Sequence, residues 1–206
     1  MKHVSHRQAW AGLALAALAL PALAHEQFYD VVLTGSAESP ANASPGSGTA
    51  RILFDLDLVT ISIDASFSNL LGTTTAAYVH CCTAVGGSGT SINATADAAP
   101  AGFALGATSG SFSIGYELAL DATYSPAFRA AHGPMTVDAL NALVFGAEDG
   151  KAYLSIRTTA FPGGEIRGFL VPEVVAVPEP ATYSMMLAGL AAVAGLVRRR
   201  RARAQA

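Results

Sequence analysis

His80, Cys81 and Cys82 stand side by side and form the densest group of reactive side chains in the 206-residue sequence. Imidazole and thiols together can ligate soft metals or exchange electrons. Adjacent cysteines cannot reach the usual Cα separation of a structural crosslink. A bond between them closes no loop and adds almost no loop-entropy stability. The pair therefore reads as free or vicinal cysteines with a local packing role, or else as an intermolecular link or reactive site. A lone histidine such as His80 is most often a hydrogen-bonded structural residue. His25 offers a second chemistry. Cleavage after Ala24 gives it an α-amine beside its imidazole, and those two nitrogens chelate copper when another histidine comes near. His80 and His132 are the candidates; the plainer reading is an incidental histidine on a frayed end. A divalent site wants about three or four converging ligands, so no metal and no cofactor is assigned.

Other chemistry is sparse. Asp55 and Asp57, two apart, share a strand face and could mimic paired carboxylates, yet exposed edge strands carry such charges routinely. The sequence has no Gly-x-Ser-x-Gly elbow, no phosphate loop and no His-Glu-x-x-His helix. Asn42-Ala43-Ser44 and Asn93-Ala94-Thr95 fit a glycosylation pattern only. The expectation is a non-enzymatic chain.

The elements that would position these residues alternate with period two. Strands are predicted over Gln27–Thr34, Thr49–Asp55, Val59–Phe67, Thr75–Cys81, Phe112–Leu120, Lys151–Thr158 and Glu165–Val171, with a hairpin turning at Asp57-Leu58. Gly and Pro mark the loops between them. Pro126–Ala131 reads as a short helical turn. Thr136–Phe145 reads as a helix with Thr136 as N-cap, an apolar stripe of Val137, Leu140, Leu143 and Val144, and Gly146 as its stop. That stripe is expected to seal one end of the fold. The predicted class is mainly β: an antiparallel β-sandwich with one or two short helices.

Both ends carry addresses. Lys2 and Arg7 precede the apolar stretch Ala9–Leu20, then Pro21 and the small-x-small site Ala22-Leu23-Ala24. This predicts a signal peptide over 1–24, removed by signal peptidase, with His25 first in the mature chain. Near the other end stand Val177-Pro178-Glu179-Pro180, an uncharged stretch from Ala181 to Val197, and Arg198, Arg199, Arg200 and Arg201. Seventeen residues of helix reach about 25 Å, near the hydrocarbon thickness of a bilayer. The arginines of 198–206 would stay on the cytoplasmic side. A transmembrane helix at about 181–197 is expected, with the body, 25–172, on the far side. The stretch from 25 to 178 holds five basic against fourteen acidic side chains. Such acidity argues against nucleic-acid partners.

The tail resembles the PEP-CTERM sorting domain of Gram-negative bacteria. The resemblance implies a membrane-anchored precursor, recognised through Pro178-Glu179-Pro180 and cut by an exosortase-type membrane transpeptidase. The body would then reach the cell surface or the extracellular space. Val32-Leu33-Thr34-Gly35 with Glu38 and Pro40, Tyr78-Val79-His80 with Cys81-Cys82, and Phe161-Pro162-Gly163-Gly164-Glu165-Ile166-Arg167-Gly168 together resemble a CHRD domain. Within that resemblance, Tyr78 and Arg157 stand where the family tends to show further histidines. The Pro162-Gly163-Gly164 turn offers positive φ. Glu165 and Arg167, two apart, are expected to share a strand face and to pair with each other or with a neighbouring strand; an exposed pair would contribute about 0–1 kcal/mol. The functional expectation is an exported envelope or extracellular-matrix protein. A metal-binding or redox role through His25, His80, Cys81 and Cys82 stays open, as does an adhesive module binding extracellular polysaccharide or protein.

Overall fold

The structure, a computed structural model, describes residues 26–100, 102–172 and 179–204. The signal stretch with Ala22 and Ala24, the adjoining His25, and Val177 and Pro178 lie outside the described residues. In chain order the elements of the body are β1 (Glu26–Thr34), β2 (Ser47–Asp55), β3 (Thr60–Ser68), β4 (Thr74–His80), β5 (Gly110–Glu117), α1 (Pro126–His132), α2 (Thr136–Glu148), β6 (Tyr153–Thr158) and β7 (Ile166–Phe169). The helix α3 (Glu179–Ala204) follows.

Alternation turned into strand because each strand lays one set of side chains on a common core. Leu33, Ile52, Phe54, Ile61, Ile63, Leu154, Ile156 and Ile166 are fully buried there. Each such side chain stabilises the fold by about 1.5–3 kcal/mol. The class expected from the sequence is the one found: mainly β, antiparallel, with short helices. All seven strands pair antiparallel in a single curled sheet of order β4-β6-β7-β1-β2-β3-β5. The β4 edge is covered rather than left open: Ala94 N–H donates to Val79 O and Ala77 N–H to Ala98 O.

The β2–β3 hairpin pairs Asp55 with Thr60. Asp55 Oδ1 accepts the backbone N–H of Asp57 at 3.0 Å and of Leu58 at 2.9 Å. Asp55 therefore caps the turn and Asp57 lies inside it, so the two are not a carboxylate pair on a strand face.

Both expected helices form, with different ends. Ser125 Oγ caps α1 by accepting Phe128 N–H at 3.1 Å. The N-cap of α2 is Met135, not Thr136; Asp138 accepts the Met135 N–H at 3.2 Å, while the Thr136 hydroxyl donates to Asp121. The helix runs through Gly146 to Glu148, and Gly150, at φ +65°, follows its C-cap. Its buried stripe is Ala139, Leu143, Val144 and Ala147, whereas Val137 is exposed.

Candidate functional site

β4, β6 and β7 are buried on both faces. One face feeds the apolar core through Val79, Leu154, Ile156 and Ile166. Cross-strand register sets out the other: Tyr78 beside Ser155 beside Arg167, and His80 beside Tyr153 beside Phe169. The loops around residues 35–42 and 86–93 close over it. Arg167 Nε donates to Ala37 O, Arg167 Nη1 to Gly89 O at 2.9 Å, and Asn42 Nδ2 to Glu165 O at 3.0 Å. The result is a second, polar and aromatic core.

Arg167 is its centre. The guanidinium lies 4.7 Å from the Tyr153 ring centroid and 5.3 Å from that of Phe169, with Nε 3.8 Å from Glu38 Oε2. Stacking plus a fork of donors is what guanidinium offers and ammonium does not. Burial pushes the Glu38 carboxyl up; the Arg167 charge and the Ser155 hydroxyl oppose that without cancelling it. Glu165, 0 % exposed, faces elsewhere. It accepts from Ser44 Oγ at 2.6 Å, Thr158 Oγ1 at 2.6 Å, Leu71 N–H at 2.5 Å and Gly72 N–H at 3.1 Å. Burial alone would raise its carboxyl, but these four donors hold it below the usual carboxylate range. An exposed Glu165–Arg167 pair is thus overturned. Glu165 precedes β7 instead of lying in it, and each charge has its own buried partners. The Phe161-Pro162-Gly163-Gly164 turn is seated by these same groups. Gly164 N–H donates to Phe161 O, and a Cβ on Gly164 (φ +142°) would crowd Glu38 Oε1 and Ser155 Oγ. Gly168 has no room either, because a Cβ there would overlap Val32 O and Val31 Cγ1 of β1.

His80 is 4 % exposed and lies flat on Tyr153, ring centroids 4.5 Å apart. Ser91 O, 3.0 Å from Nδ1, can only accept, so Nδ1 carries the proton and Nε2 a lone pair. Burial pushes the imidazole down to about 4; the Ser91 bond opposes this, and the Arg157 and Arg167 charges reinforce it. His80 is neutral at neutral pH. The neighbouring positions 78 and 157 are filled by a cation–π pair, with Arg157 Cζ 4.7 Å from the Tyr78 ring centroid and Nη2 on Asn93 Oδ1 at 3.1 Å. A metal ion placed there would meet a guanidinium. His132 packs instead on Phe128 of α1, and among the described residues no group of three or more His, Cys, Asp or Glu side chains converges.

Cys81 and Cys82 form a vicinal disulfide across a cis peptide, Cα atoms 3.1 Å apart. Cys81 is fully buried and Cys82 half-buried. The sulfurs rest against α2, where Ala142 O lies 3.6 Å from Cys81 Sγ and 3.3 Å from Cys82 Sγ. The bonded pair packs locally against this helix. What sequence reasoning missed is the partners of these buried groups: Ser44 and Thr158 for Glu165, Ser91 and Tyr153 for His80. A signal existed in β6, where Tyr153, Ser155 and Arg157 alternate with Leu154 and Ile156. A strand with one aromatic-polar face and one apolar face, lined by arginine, advertises two different environments.

α3 takes up the C-terminal apolar stretch. It begins at Glu179, so Pro180 sits in the first turn, where its missing N–H is tolerated, and it runs on through Arg198–Arg201 and Arg203. Side chains through 184 lie outside the described residues. Among the described residues no helix is long and apolar enough to cross a membrane.

The curled sheet, with its second core sealed by the Pro-Gly-Gly turn, defines a compact β module carrying a separate C-terminal helix. Residues 29–170 match the CHRD domain, and the chain belongs to that family. Residues 176–201 match the PEP-CTERM protein-sorting motif, which makes this an exported protein handled by exosortase-type machinery. No curated protein and no solved structure matches the chain.

Proposed function

We propose that the chain is a non-enzymatic envelope or extracellular-matrix protein whose CHRD domain is the cargo and whose tail is the address. One observation carries this reading. The body's chemically capable side chains, Glu38, His80, Cys81, Glu165 and Arg167, are turned inward and engaged by their own chain. They brace loops against the sheet and leave little to act on a substrate. In this reading signal peptidase releases His25, the apolar stretch 181–197, whose first side chains lie outside the described residues, is held in the inner membrane with the arginines after it in the cytoplasm, and the transpeptidase acts at Pro178-Glu179-Pro180. Deleting Val177 onward tests it. The truncated body is expected in the medium, without surface attachment. Unchanged fractionation and unchanged product mass would overturn the assignment.

An adhesive role is favoured by a different surface. The outer face of β1, β2, β3 and β5 forms an open groove lined by Asp30, Thr49, Arg51, Asp64, Ser66 and Ser113, all exposed. Exposed hydroxyls flanked by opposite charges suit a polar polymer, either polysaccharide or protein. A pull-down with purified matrix fractions, compared against Arg51→Glu, reads it: equal retention of both proteins rejects this surface.

A further inference from the structure

β4 runs out into a bonded sulfur pair that α2 presses down. Ala142 O touches both sulfurs, and Gly146, one turn further along, faces them directly. A Cβ on Gly146 would overlap Cys81 Sγ and come within 2.8 Å of Cys82 Sγ. Glycine inside a helix is unfavourable relative to alanine. Here it lets the helix backbone descend onto the disulfide. The contact is therefore close on two successive turns of α2, with no slack between helix and sulfur.

Room is the deciding quantity. Reduction adds a hydrogen to each sulfur and ends the bond that holds the two together, and the close contact with α2 leaves no space for either change. Cys81 is fully buried and cannot retreat into the core beside it. Cys82, half-buried, is the more accessible residue of the two. We propose that the Cys81–Cys82 disulfide is a thiol-exchange site, addressed at the Cys82 sulfur by a small thiol or dithiol reductant, and that its reduction lifts α2 from the end of β4.

The step balances as an ordinary exchange. The reductant's thiolate attacks Cys82 Sγ and forms a mixed disulfide. The Cys81–Cys82 bond breaks, and Cys81 Sγ leaves with the electron pair and takes a proton from solvent. A second thiolate of the reductant attacks its partner sulfur in the mixed disulfide, completing the reductant's own disulfide and releasing Cys82, which is protonated in turn. Two electrons and two protons enter the protein, and the reductant is oxidised by two electrons. Coupling is reciprocal, so anything that undocks α2 eases reduction.

The full-length chain in mild detergent, treated with dithiothreitol, tests this by intact mass and hydrogen exchange. Expected are a gain of about 2 Da and exchange in peptides of 136–148 faster by about tenfold or more, with β2 and β3 protected as before. Reduced glutathione should leave its adduct on Cys82. Gly146→Ala, which crowds the sulfurs without reducing them, should speed exchange in α2 of the oxidised protein. Four outcomes would overturn the proposal: a reduced protein with α2 still protected, an adduct on Cys81, loss of protection across the whole sheet, or reduction only in denaturant. Unchanged α2 protection in Gly146→Ala would contradict the packing on which it stands.

Discussion

Glu165 gathers four donors onto one buried carboxylate, two hydroxyls and two backbone N–H groups from three separate segments. Glu165→Gln replaces one acceptor oxygen with an amide NH2, itself a donor, and leaves buried donors unpaired. A loss of about 2–4 kcal/mol is expected in urea unfolding; a loss under about 0.5 kcal/mol, within the range of ordinary surface substitutions, would show the hub to be incidental. The hub also has a pH signature. Its carboxyl is held below the ordinary range. Its stabilisation is present above the unfolded value, about 4.3, and fades as pH falls through the folded one. His80 acts over a different window. It titrates at about 4 in the fold and near about 6.5 unfolded. Between those values the unfolded chain takes up a proton that the folded chain refuses. Stability should therefore decline as pH is lowered from about 6.5 towards 4, and His80→Gln should flatten that slope. An NMR titration placing the His80 midpoint near 6.5 would contradict the buried, neutral assignment. The residue types were plain in the sequence, but their partners were not. Glu165 meets Ser44, and Arg167 meets Glu38, across well over a hundred residues, whereas two-residue spacing suggested a pair with each other or with a neighbouring strand. Spacing fixes which face a side chain takes, not which distant loop folds over that face.

Strands were the most legible elements, because alternation of apolar and polar residues is the same pattern that burial selects. Helix ends were less so. Gly146 looked like a stop, since glycine most often ends helices; here its missing side chain serves packing against the sulfurs, and Gly150 stands at the turn beyond the helix. Gly168 is the corresponding pinch in the sheet. A methyl group there would strike β1 at Val32 O. Gly168→Ala should force β7 away from β1 and disturb the seating of the adjacent Arg167. The expected cost is about 2–3 kcal/mol, in the range of overpacked cores. Thermal unfolding of Gly168→Ala beside the exposed-turn control Gly163→Ala measures it, and equal melting temperatures would refute the close approach.

For the whole molecule, the division of labour is spatial. The domain from 29 to 170 folds its polar chemistry inward, and the segment from 176 to 201 carries the address. The address was legible because it is linear: a turn motif, an apolar run and a basic cluster in fixed order. The second core was not, because it is assembled from three strands and two loops distant in the chain. The central claim is that the tail serves delivery and is then removed. Intact-mass spectrometry of the protein recovered from the outside of the cell addresses this most directly. The account predicts a chain that begins at His25, keeps the CHRD domain with its oxidised cysteine pair, and lacks α3 with its arginine cluster. An extracellular product that retains Arg198–Arg201 would contradict it.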